Sequence, residues 1–218
     1  MHPAAERAKE QLPSVLLTLT SIIQALSLEV LWSSAGAAPH LWTPGPALVT
    51  GWLQVAAVFQ IVVLVWLYYA HLIMRFRWVP SLRDSIVPFI FGLGQFVLAE
   101  LIQPESLHLW LYVLAAVFVV AFFSSTWTFH AARQDPDNAW YFADFVPSLV
   151  EQYGHPAATL ALILLLAVIA QWTGDTGPWA VVVIVGANLI LLAQIALQQY
   201  YWKLTVLKGM KSGSGEAA

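Results

Sequence analysis

The chain has 218 residues, of which 60% are hydrophobic and 10% are charged, and its mean hydropathy is +0.72. A water-soluble domain of this size could not bury so much apolar surface. The net charge of −3 excludes the basic surface that nucleic-acid binding needs. The absence of cysteine excludes disulfides, thiolate metal sites and cysteine catalysis. The composition therefore predicts an all-α integral membrane protein whose first partner is the lipid bilayer.

Six apolar stretches are long enough to cross a bilayer, because about 20 helical residues span the ~30 Å of hydrocarbon. They predict transmembrane helices over residues 13–34, 46–74, 82–102, 107–130, 156–172 and 178–208. We expect residues 1–12 to form a cytoplasmic N-terminal segment and residues 13–211 a single six-helix domain. The small polar residues 212–218 predict a flexible tail.

The basic residues give this topology an orientation. All nine lie on one side of it: Arg7, Lys9, Arg75, Arg77, Arg83, Arg133, Lys203, Lys208 and Lys211. The positive-inside rule then places both termini in the cytoplasm, and a bacterial inner membrane fits this asymmetry. Residues 34–38 resemble a signal-peptide cleavage site. However, the preceding apolar stretch is long and contains Gln24 and Glu29, so we expect it to be retained.

The first predicted helix has two unlike faces. At 100° per residue, one face is apolar, with Leu16, Leu19, Ile23, Leu26 and Val30. The broad opposite half is polar, with Thr18, Thr20, Ser21, Gln24, Ser27 and Glu29. Such a half either bonds to neighbouring helices or lines a hydrated path. For the second interpretation the predicted pore-lining residues are Ser21, Gln24 and Ser27.

Three other predicted helices carry polar stripes. In the third, Asp84, Pro88, Gly92, Gln95 and Ala99 share a face, and Gly92 with Gly94 would allow a close helix contact. In the second, Gln60 and His71 share a face. We expect a neutral His71 hydrogen-bonded to Asp84, with a proton-sensing His71 as the alternative. In the sixth, Gln194, Gln198 and Tyr201 recur at helical spacing and predict contact with another helix or subunit.

No motif indicates an enzyme. The sequence has no H-E-x-x-H, no G-x-S-x-G and no phosphate-binding P-loop, so we predict no catalytic residue, no metal ligand and no cofactor. A haem b held between His71 and His130, near the cytoplasmic ends of two helices, remains an alternative.

The junction of the second and third predicted helices reads IVVLVWLYYAHLIMRFRWVPSLRDS. It resembles the six-helix potassium-leak and proton channel family of bacterial membranes and lysosomes. The resemblance implies cytoplasmic termini, a polar first helix lining a pore, and a polar network behind it at Trp66, His71 and Asp84. Arg83 would complete this supporting network. The family's Phe-Ser-Asp signature is absent from the first helix, where LTLTSIIQALSLE stands instead.

The leading interpretation is therefore an oligomeric, channel-like protein for small monovalent cations such as potassium, or for protons. Two alternatives remain open at this stage. One is a non-catalytic structural subunit of a larger membrane complex, which the shortage of dedicated chemistry favours. The other is a haem-binding redox subunit.

Overall fold

The computed structural model describes residues 3–142 and 149–215, and within these ranges the chain is helical without strands. Its α-helices are α1 (Pro3–Ala37), α2 (Pro46–Arg75), α3 (Leu82–Glu100), α4 (Leu107–Gln134), α5 (Ala139–Phe142), α6 (Leu149–Thr173) and α7 (Pro178–Gly215). All except the one-turn α5 are long and apolar enough to cross a membrane. This confirms the predicted all-α polytopic membrane protein with six transmembrane helices.

Helix boundaries differ from the prediction mainly at the N-terminus. α1 begins at Pro3, ten residues before the predicted start, and Pro13 lies inside the helix. The added segment PAAERAKEQL is rich in Ala, Glu, Lys and Gln, which favour helix. Residues 3–12 therefore extend the first transmembrane helix. At the other end, α7 continues to Gly215 and so enters the segment predicted as a flexible tail.

The six long helices form a closed ring. α1 packs against α2 and α3, α3 against α4, α4 against α6, α6 against α7, and α7 against α2. Large side chains fill the interior, and Trp110, Leu111, Ile163 and Ile184 are fully buried. The indole of Trp110 donates to the carbonyl oxygen of Leu98, 3.0 Å away, which ties α4 to α3.

Two glycines of α3 allow neighbouring helices to approach closely, as the sequence predicts. A Cβ on Gly92 would lie 2.5 Å from Ile23 Cγ2 of α1, and one on Gly94 would lie 2.6 Å from Val117 Cγ2 of α4. Both distances are far below van der Waals contact. Gly92 therefore sets the spacing between α1 and α3.

We predict that Gly92→Val lowers the free energy of unfolding by about 1–3 kcal/mol, the usual effect of overpacking a tight contact. The β-branched Ile23 cannot turn aside easily, because its χ1 angle is restricted in a helix. Thermal unfolding in detergent measures the effect. Gly36→Ala is the matched control, because a Cβ there meets nothing within 4 Å. Equal stability of both variants would contradict this packing.

The polar face predicted for α2 is confirmed, and it meets α7. Gln60 Nε2 donates to Asn188 Oδ1 at 2.8 Å, and Asn188 Nδ2 lies 3.1 Å from the Leu53 carbonyl oxygen. One end of the same face carries His71, whose ring stacks on Trp202 of α7 with centroids 4.9 Å apart. The predicted helix contact of Gln194 is also present, because its Nε2 donates to Thr159 Oγ1 of α6 at 2.7 Å.

Charged segments distant in sequence meet at one end of the bundle. The Lys9 ammonium lies 2.6 Å from Asp135 Oδ2 and 3.2 Å from Asp137 Oδ2. Arg77, in the α2–α3 connection, lies 3.3 Å from Glu6 and 3.7 Å from Asp137. The start of α1, the α2–α3 connection and the segment after α4 thus lie at the same end, as the predicted topology requires.

Candidate functional site

The polar residues predicted to line a pore on α1 lie on two different sides of the helix. Gln24 and Ser27 are buried, at 6% and 0% exposure, together with Thr20 at 1%. Ser21 is exposed on the outer surface of the bundle. The expectation that Ser21 shares one path with Gln24 and Ser27 inside this chain is therefore not met.

Ser27, one of the buried polar residues of α1, meets Gln95 of α3, and we call Thr20, Gln24, Ser27 and Gln95 the polar seam. Ser27 Oγ lies 2.6 Å from Gln95 Oε1 and 2.9 Å from the Ile23 carbonyl oxygen, so its hydroxyl can donate to either acceptor. Gln95 is fully buried. The contact joins α1 and α3 near the middle of the predicted span.

Four side-chain atoms of the polar seam are buried without a hydrogen-bond partner among the residues that the structure describes. They are Thr20 Oγ1, Gln24 Oε1, Gln24 Nε2 and Gln95 Nε2. An unsatisfied buried polar group costs about 1–3 kcal/mol, and hydrocarbon offers it no partner. Water would supply all the missing partners, because it both donates and accepts, whereas a small cation could coordinate only the two oxygens, Thr20 Oγ1 and Gln24 Oε1.

The polar seam has a carboxylate beyond one end and a cavity beyond the other. Towards one end, the Ser34 hydroxyl donates to Glu100 Oε1 at 3.1 Å, so a carboxylate closes the α1–α3 contact there. Towards the other, Leu16 lies one turn before Thr20 and lines a cavity of about 230 Å³. The seam therefore lies between an exposed carboxylate and this cavity.

The cavity lies at the end of the bundle that carries the basic residues. It is enclosed by α1, α2, α3, α4 and the α2–α3 connection. Arg83 stands over the Trp127 ring, 4.7 Å from its centroid, and both residues are exposed. Trp78 lies beneath them at 3% exposure, and its indole Nε1 has no acceptor within the described part of the chain. Hydroxyls of Tyr69, Ser124 and Thr128 complete the polar lining.

The supporting network expected at Trp66, His71, Arg83 and Asp84 is only partly brought together. Arg83 and Asp84 both line the cavity. Trp66, by contrast, is exposed on α2, and His71 faces Trp202 of α7. Arg83 and Asp84 therefore form a group separate from the other two residues.

The expected hydrogen bond between His71 and Asp84 is wrong. Asp84 Oδ2 instead accepts from the Ser81 N–H at 2.7 Å and from the Ser81 hydroxyl at 2.8 Å, which makes a capping box at the start of α3. A partner three residues away needs no ordering of a second helix, so the local bond prevails. His71 is left to stack on α7.

The two histidines considered for haem b have different surroundings. His130 lines the cavity and its Nε2 lies 3.0 Å from Gln134 Nε2, whereas His71 stacks on Trp202. His71 does not line that cavity. Among the described residues, no group of three His, Asp or Glu side chains is placed to hold a metal ion.

Sequence reasoning missed the α4 side of the cavity. Ser124 and Thr128 are both buried, and the Thr128 hydroxyl donates to the Ser124 carbonyl oxygen at 3.0 Å. Their spacing of four residues places them on one helix face, which is a signal the sequence contains. Trp78 carries no such signal, because its burial depends on how the α2–α3 connection folds.

Comparison of the chain with protein-family models, with curated proteins and with solved structures finds no match. The fold and the site therefore define its class on their own. The chain is a polytopic α-helical membrane protein with a buried polar seam between its first and third membrane helices.

Proposed function

We propose that this protein is channel-like and conducts small monovalent cations or protons along α1. The observation that carries the proposal is the set of unsatisfied polar atoms in the polar seam. Polar groups inside a span are costly and are usually found where they face a path for ions or protons. The resemblance of the α2–α3 junction to the channel family supports the same function, and the bacterial inner membrane remains the proposed location.

The path that we propose runs between α1 and α3 of one chain. Thr20 Oγ1 and Gln24 Oε1 would bond to a file of water molecules or to a partly dehydrated cation, and Gln95 Nε2 would donate to a water molecule. Buried leucines at the two ends of the seam, Leu16 and Leu31, would form hydrophobic constrictions that close by dewetting. Glu100 at one end would raise the local concentration of cations.

A pair of serine variants separates this path from one on the outer surface of α1. Ser27→Ala should change the ion flux several-fold, because it removes a hydroxyl within the seam and leaves Gln95 Oε1 without its donor. Ser21→Ala is the matched control and should leave the flux unchanged, because Ser21 is exposed on the outer surface of the bundle. Liposomes holding a potassium or a proton gradient give the measurement.

The reverse pattern, in which Ser21→Ala alters the flux and Ser27→Ala does not, would place the path between subunits. Flux no greater than that of empty liposomes would refute the channel itself. Both variants remove a single hydroxyl and should leave α1 helical. Size-exclusion chromatography checks that each variant keeps the oligomeric state of the wild type.

A second candidate is a structural subunit of a homo-oligomer or a larger membrane complex. Glu29 is exposed within the α1 span, two turns from its end, and Thr18, Ser21 and Ala25 are exposed beside it. A carboxylate facing lipid is costly, so a protein surface would cover it. Co-purification of other chains in mild detergent would favour this candidate over the channel.

A further inference from the structure

We propose that the cavity beneath Arg83 binds a phosphate group, presented by an anionic phospholipid from the cytoplasmic leaflet or free in solution. This proposal is independent of the channel function, because it is tested by ligand binding and not by ion flux. The cavity wall carries several hydrogen-bond donors.

Trp78 is a buried donor of the cavity wall that lacks an acceptor among the described residues. It is 97% buried and lines the cavity, yet its Nε1–H has no acceptor among the described residues. An indole nitrogen can only donate. A ligand that satisfies it must therefore present an acceptor oxygen.

Several other polar groups of the wall can donate to an anion. Arg83 has donors only, and its position over Trp127 holds the guanidinium at the mouth of the cavity. Asp84, the acidic residue of the lining, already accepts two bonds from Ser81. The hydroxyls of Tyr69 and Ser124 can donate inside. A tetrahedral phosphate has enough oxygens to accept from the indole, the guanidinium and a hydroxyl together.

The size and position of the cavity fit a headgroup phosphate. Its volume of about 230 Å³ holds a phosphate with a small substituent but not a whole nucleotide. Leu82 and Ile86, on the first turns of α3 beside Arg83, are exposed and apolar. Acyl chains could lie along them while the phosphate enters beneath Arg83, at the depth where basic residues meet anionic lipids.

The test is binding to the full chain in detergent, followed by native mass spectrometry and by tryptophan fluorescence. Three probes are used: dioctanoyl phosphatidic acid, dioctanoylglycerol, which has the same chains without phosphate, and inorganic phosphate. Binding of phosphatidic acid alone supports the lipid as the source, and binding of inorganic phosphate supports a soluble source. Equal binding of phosphatidic acid and dioctanoylglycerol overturns the proposal, as does binding of none of the three.

Variants locate the site. Trp78→Phe keeps a ring and removes the N–H, and Arg83→Gln removes the charge; each should raise the Kd of the bound probe roughly five- to tenfold. Arg133→Gln is the control, because Arg133 is also basic and near the same end but does not line the cavity. Equal weakening by Arg83→Gln and Arg133→Gln would show attraction by general charge and overturn the site. If Trp78→Phe unfolds, Tyr69→Phe tests the same wall.

Discussion

Replacing Gln24 with leucine should lower the ion flux at least tenfold while leaving the protein as stable as before or more stable. The amide of Gln24 is buried with neither its oxygen nor its nitrogen hydrogen-bonded within the described chain. A hydrated path would lose the group that holds water or a cation at its centre. Tenfold corresponds to about 1.4 kcal/mol in the barrier, which is within the range of one lost hydrogen bond.

The expected stability follows from the same observation. Gln24 makes no hydrogen bond to the described protein, so its removal breaks no bond within the fold. Leucine has a similar length and fills the space with apolar atoms. The Tm of the purified variant should therefore stay at or above that of the wild type, whereas flux in liposomes from the same preparation should fall.

Gln60→Leu is the matched control for this prediction. Gln60 lies in another membrane helix, and its Nε2 donates to Asn188 Oδ1 at 2.8 Å. Its loss leaves Asn188 Oδ1 unpaired, so this variant should be less stable and should keep its flux per folded molecule. The contradicting result is a Gln24→Leu variant that is as destabilised as Gln60→Leu and has unchanged flux. Gln24 would then hold helices together by hydrogen bonds, and the polar seam would not be a path.

The membrane helices could be predicted from sequence because each one contains a long, predominantly apolar stretch, and mean hydropathy over about 20 residues indicates whether such a stretch spans. The faces of α1 could not be predicted so well. Ser21 and Ser27 lie about 120° apart around a helix, yet both fall within the broad polar half. Which part of that half is buried depends on where α3 packs, and the close contact at Gly92 decides it.

The partner of Asp84 could have been predicted from its neighbours in the sequence. Ser81 and Asp84 have the spacing of a capping box, and the sequence therefore contained the partner that Asp84 takes. By contrast, the bonds of Lys9 to Asp137 join residues 128 positions apart. The periodicity of the sequence does not predict such a pair, because the pair forms only where the packed bundle brings the start of α1 next to the segment after α4.

The loss of Asn138 should destabilise the end of the bundle that carries the basic residues. Asn138 is 1% exposed, and its Oδ1 accepts from the Arg77 N–H at 2.9 Å. Its Nδ2 donates to two carbonyl oxygens, that of Arg77 at 2.6 Å and that of Ala132 at 2.7 Å. Three bonds at about 0.5–1.5 kcal/mol each predict that Asn138→Ala lowers the free energy of unfolding by about 2–4 kcal/mol.

The loss should appear as a fall of roughly 5–15 °C in the Tm. It should also speed hydrogen exchange in the α2–α3 connection, because Asn138 holds the backbone of Arg77 next to Trp78. Gln103→Ala is the control, because it removes an exposed amide from a loop at the other end. A Tm equal to that of the control would mean that water replaces the three bonds. In that case Trp78, and the cavity wall to which it belongs, would be positioned by packing alone.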